Sequence, residues 1–109
     1  MAELLIMTMP LPSEYKIIKN LGLVTGVTCR TRGVGGKFIA GFESMAGGEV
    51  TSFTSEMEKA RFQAIDRMKE KAVAIGANII VSVDIETSEV LQGIVLVSAT
   101  GTALVVNQK

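Results

Sequence analysis

The chain has 109 residues, enough for one domain with one modest core. Eleven basic residues cancel eleven acidic ones, which excludes the charge footprint of a nucleic-acid binder or of a protein held on anionic lipid. Histidine is absent and cysteine occurs once, which removes the commonest general base near neutral pH, the commonest transition-metal ligand and any disulfide within the chain.

The apolar fraction is 48% while aromatics contribute 5%, so the hydrophobic material is mostly aliphatic. With a mean hydropathy of +0.40, a domain this small has more oily surface than one subunit hides, and self-association is expected. No apolar run approaches the roughly 18 residues of a membrane span. The N-terminal MAELLIMTMPLP lacks the basic start and longer apolar stretch of a signal peptide. The expected location is the cytoplasm.

In chain order, LLIMTM (residues 4–9) reads as a short strand ended by Pro10 and Pro12. Residues 16–29, KIIKNLGLVTGVTC, form a second strand, with Leu21, Leu23, Val27 and Cys29 recurring at even spacing. Gly22 and Gly26 mark places where another backbone packs closely or the strand bends. FIAGFESMAGG (38–48) has apolar residues at helical steps and predicts a short helix stopped by Gly47 and Gly48. Ser55 and Glu58 form a capping-box pattern ahead of a longer helix that ends at Gly76. Met57, Arg61, Ala64, Ile65, Met68, Ala72 and Ile75 line its core-facing stripe, and Glu56, Lys59, Gln63, Asp66, Arg67, Glu70 and Lys71 its solvated side.

NIIVSVDIE follows, with Ile79, Val81, Val83 and Ile85 on one face and Ile80, Ser82, Asp84 and Glu86 on the other. A turn near residues 87–89 leads to LQGIVLVSATGTALVV, and the two strands form an antiparallel hairpin. The expected architecture is a single two-layer α+β domain over residues 1–109. Its β-α-β-β core is a three-stranded antiparallel sheet covered on one side by the long helix, with the short strand and short helix added. The second sheet face, carrying Ile18, Val24, Ile80, Ile94, Leu96 and Leu104, then needs other copies of the chain to cover it.

Three constellations carry chemistry. CRTRGVGGKF (29–38) has phosphate-loop spelling but fits no nucleotide motif: Thr31 stands where a P-loop needs its first glycine, and Phe38 follows Gly36-Lys37. Arg30, Arg32, Gly35, Gly36 and Lys37 remain as anion-contact candidates, against a plain strand-to-helix connection. Cys29 is a metal candidate only if several subunits contribute it, against a small apolar residue ending a strand. Asp84 and Glu86 share a strand face and form a cation candidate if copies bring them together, against a solvated strand end. No set supplies nucleophile, base and oxyanion donors together, so nothing here makes the chain an enzyme.

LGLVTG (21–26), MAGGE (45–49), the E-x-x-x-A-R start of the long helix, GANIIVSVDIE (76–86) and VSATGTAL (97–104) together resemble the YbjQ-like family, in the same order over nearly the whole chain. That resemblance implies a fold related to the dodecin subunit and assembly as a homopentamer or a decamer. It implies a heavy-metal-binding label and brings no set of catalytic residues with it. The expected function is a homo-oligomeric assembly or small-ligand-binding protein, or alternatively one that binds a metal ion at subunit interfaces.

Overall fold

The computed structural model describes residues 4–31, 51–91 and 93–109. The expected short helix at 38–48 lies outside them, as do Arg32, Gly35, Gly36 and Lys37. Five elements follow in order: β1 (Leu5–Ile6), β2 (Tyr15–Thr31), α1 (Thr51–Ala74), β3 (Ile79–Leu91) and β4 (Ile94–Gln108). They build an α+β unit with one helix and one sheet.

The sheet has four strands, in the order β1-β3-β4-β2. The expected three-stranded antiparallel sheet is therefore extended into a mixed one. β1 pairs in parallel with β3, Leu5 opposite Ile79 and Ile6 opposite Ile80. The pairing continues past β1, because Val83 N–H donates to the Met7 carbonyl at 3.1 Å and Ser82 N–H to the Met9 carbonyl at 3.0 Å. LLIMTM is apolar enough to be held there before Pro10 and Pro12 turn it away.

α1 begins at Thr51, so Ser55 and Glu58 lie inside the helix rather than at its start. Its end is the expected one. Gly76 has φ +92°, its N–H donates to the Val73 carbonyl at 3.0 Å, and Ala77 N–H donates to the Ala72 carbonyl at 3.0 Å. That pair of bonds is a Schellman cap. The buried stripe is Ala60, Ala64, Met68 and Ala72, with Met57 and Ile65 packed beside it, whereas Arg61 and Ile75 are exposed. Steps of four on small residues let the helix axis come close to the sheet, and an arginine has no place in that gap. Gly26 on β2 completes the approach: a Cβ there would collide with the Ala64 carbonyl and the Met68 amide. Gly22 bends the strand instead, at φ +92°, where Leu21 is an unpaired extra residue in the β2–β4 register. That bulge separates Leu21, packed on the helix side, from Leu23, which is outside.

A second bulge resets β3. Val81 pairs with Thr102 and Asp84 with Thr100, so Ser82 and Val83 together face Gly101. Ser82 takes a left-handed φ of 53°. Simple alternation of Ile79, Val81, Val83 and Ile85 therefore fails. Ile80 and Val83 join the helix-side core with Val24, Val95, Val97, Ala99 and Ala103. Ile79 and Val81 form a second cluster on the opposite face with Leu104 and Val106. Val24 and Ile80, expected on the open face, are thus inside.

That opposite face is also not wholly bare. Met7, Leu11 and Tyr15, from the segment leading into β2, pack over the second cluster. Asn78 fastens the same end, its Nδ2 donating to the Val106 carbonyl at 2.8 Å and its Oδ1 accepting from Val106 N–H at 2.9 Å. The remaining part of the outer face belongs to the far ends of β2, β4 and β3.

Candidate functional site: the outer face of the sheet

The strand register sets three rows across the uncovered part of this face. Thr25 lies beside Thr100 and then Asp84; Val27 beside Ser98 and then Glu86; Cys29 beside Leu96 and then Ser88. Leu23 precedes them opposite Thr102. Leu23 is 75% exposed and Val27 39%, and Cys29 is an exposed free thiol. The arrangement is an apolar patch along β2 and an acidic border along β3, with a hydroxyl-bearing β4 between them.

Cys29, Asp84 and Glu86 therefore share one face, as their even spacing from Thr25 and Thr100 requires. They do not converge. Neighbouring strands stand about 4.8 Å apart, so β2 and β3 are about 10 Å apart across β4. Metal–ligand bonds are about 2.0–2.6 Å. Among the described residues no three His, Cys, Asp or Glu side chains group to hold an ion. The described residues of one copy alone do not fit a heavy-metal centre.

Arg30 points the other way, toward α1. Its Nη1 donates to Glu56 Oε2 at 3.3 Å and its Nη2 to Gln63 Oε1 at 3.1 Å. Gln63 Oε1 also accepts from Thr28 Oγ1 at 2.6 Å, and Lys59 Nζ lies 3.6 Å from Glu56 Oε1. Arg30 Nε is buried and has no partner among the described residues. The guanidinium ties the end of β2 to the helix, so the anion candidate closest to the strand already has a carboxylate beside it. Gln63, assigned from periodicity to the solvated side of the helix, is the hub of this network. A glutamine at a helix position facing a strand threonine is the signal that marks it.

Arg67 closes part of the outermost strand, its Nη1 donating to the Val27 carbonyl at 2.6 Å. At the β1 edge of the sheet, Ile6, Met7, Thr8, Met9, Ile65, Val83 and Ile85 line an open groove. Two large apolar side chains on α1, Phe62 and Val73, are 66% and 52% exposed. Neither belongs to the stripe that the helical pattern picks out.

Comparison with known proteins places these features in a group. Residues 4–107 match the YbjQ family model, described as "Putative heavy-metal-binding". A UPF0145 protein of Sulfurisphaera tokodaii is 41% identical over 107 residues, covering 98% of this chain and 94% of that one. A UPF0145 protein of Dehalococcoides mccartyi is 46% identical over 92 residues, covering 84% of this chain and 88% of its own. A crystal structure from Pediococcus pentosaceus, of a DUF74-family protein of unknown function, superposes with a TM-score of 0.67 at 15% identity. It covers 95% of this chain and 98% of that one, and shows a shared fold.

Proposed function

The chain belongs to the YbjQ family, and from that premise we propose that it is a self-assembling protein without enzymatic activity, whose copies cover one another's outer sheet face. One observation carries this reading: Leu23, Val27 and Cys29 stand exposed in a row on a face that the chain's own N-terminal segment covers only at its other end. Five copies in a ring, a subunit related to that of dodecin, and a small ligand held between subunits are the finer parts of the proposal, resting on the family resemblance. The cytoplasm is its proposed location, in keeping with an exposed thiol. Among the described residues no helix is long and apolar enough to cross a membrane.

Sedimentation of the full chain tests the reading. A mass several times the 11.6 kDa of one chain is expected, falling to the single-chain mass in Leu23→Asp or Val27→Asp with helical content unchanged. Wild-type protein that stays at 11.6 kDa at every concentration overturns it.

A second reading is favoured by Cys29, Asp84 and Glu86 facing the same way. Copies arranged about an axis gather either the thiolates, which suit soft ions such as Zn²⁺ or Cd²⁺, or the carboxylates, which suit Ca²⁺ or Mg²⁺. Equilibrium dialysis distinguishes them. Less than one ion per chain is expected, lost in Cys29→Ser for a soft ion or in Asp84→Asn/Glu86→Gln for a hard one. Binding unchanged in both variants removes both sites.

A further inference from the structure

We infer that the outward side of α1 is a two-fold contact, in which Phe62 of each copy packs beside Val73 on α1 of a second copy of this chain. The inference rests on the self-assembly reading but uses a different surface. At about 100° per residue, Phe62, Asp66, Lys69 and Val73 form one stripe, in steps of four, three and four. The stripe runs along the side of the helix opposite Ala60, Ala64, Met68 and Ala72, which are buried against the sheet. A helix face turned away from its own core is ordinarily polar, yet this one carries two large apolar side chains, 66% and 52% exposed. Beside them is a shallow, open depression lined by Asp66, Lys69, Glu70, Val73 and Ala74.

The order along the stripe is apolar, acidic, basic, apolar, and that order selects the occupant. Phe62 stands as far before the midpoint between Arg67 and Met68 as Val73 stands after it, and Asp66 and Lys69 are placed likewise. An antiparallel copy therefore sets Phe62 against Val73, and Asp66 beside the other copy's Lys69, each twice. A parallel copy sets Asp66 against Asp66 and Lys69 against Lys69, which is repulsive. Among the described residues neither charge is in an ion pair; the pairs there are those of Glu56 with Arg30 and Lys59. The contact is isologous, the same patch meeting itself. A single helix face offers less than the roughly 800 Å² per partner of a stable interface, so this contact adds to the one made by the sheet face and doubles the particle.

Sedimentation of the full chain with four variants tests it, circular dichroism confirming that each is folded. Phe62→Glu, Asp66→Lys and Lys69→Asp are each expected to halve the wild-type mass. The double swap Asp66→Lys/Lys69→Asp is expected to restore it, because the two-fold pairs each reversed charge with the other. Wild-type mass retained in Phe62→Glu overturns the contact while leaving the sheet-face reading standing, provided Leu23→Asp still dissociates the particle. A double swap that stays at half mass overturns the charge pairing. Phe62→Glu falling directly to one chain supports the helix contact and removes the sheet face as the primary one. A monomeric wild-type protein overturns both.

Discussion

The backbone of Gly26 lies against the backbone of Ala64, with no room for a side-chain carbon between strand and helix. This contact fixes how close α1 stands to the sheet and explains why the buried helix positions are mostly alanine. Gly26→Val forces the two apart and is expected to cost about 3 kcal/mol, at the upper end of overpacking penalties. Gly22→Ala meets no atom within 4 Å and should lose only the left-handed penalty of about 1–2 kcal/mol. Urea unfolding of both variants orders them; a Gly26→Val protein as stable as Gly22→Ala contradicts the close approach.

The Thr28–Gln63–Arg30 network predicts an asymmetry. Gln63→Leu leaves the Thr28 hydroxyl, in a residue 4% exposed, without its acceptor, at about 1–3 kcal/mol. Glu56→Gln removes the carboxylate from an exposed pair and should cost less than about 1 kcal/mol. Thermal melts of the two variants give the comparison, and equal losses would show that Gln63 is not the hub.

Most of the helix and strand order was legible in the sequence, because period four and period two are written by side chains that must face one core. The Gly76 cap was legible for the same kind of reason, since few other residues take its φ. What periodicity missed are the register shifts, above all those at Leu21 and at Ser82–Val83. Ser82 in a left-handed conformation carries no compositional mark, and one extra residue puts the positions on either side of it out of phase, so that Leu21 shares a cluster with Val24 and Ile80 with Val83, against simple alternation. Phe62 escaped notice because a helical pattern is sought through the stripe that binds the sheet. Spacing put Asp84 and Glu86 together but set Cys29 with Leu23 on the opposite face from Val24 and Ile80; only the register shows that all three share the outer face, with β4 between them.

The N-terminal segment is predicted to be a removable cover. Deleting residues 1–12 strips Met7 and Leu11 from Ile79, Val81, Leu104 and Val106 and breaks the bonds to Val83 and Ser82. Increased binding of an apolar dye and a lower melting temperature are expected, with α1 retained. Full-length stability in the truncated chain would mean that the second cluster needs no cover.

Asn78 is predicted to matter more than an exposed turn residue. Asn78→Ala removes both side-chain bonds to Val106 and leaves that N–H and carbonyl unpaired by it, at about 1–3 kcal/mol. Amide hydrogen exchange reads it out directly: Val106 should exchange faster, while Val97, at the other end of β4, should not change.

Because the reset at Ser82–Val83 lets one strand feed both oily layers, β3 works as a hinge pin through the sheet rather than as a tile on one surface. A substitution that straightens Ser82 is therefore expected to disturb the packing under α1 and the packing of the second cluster together.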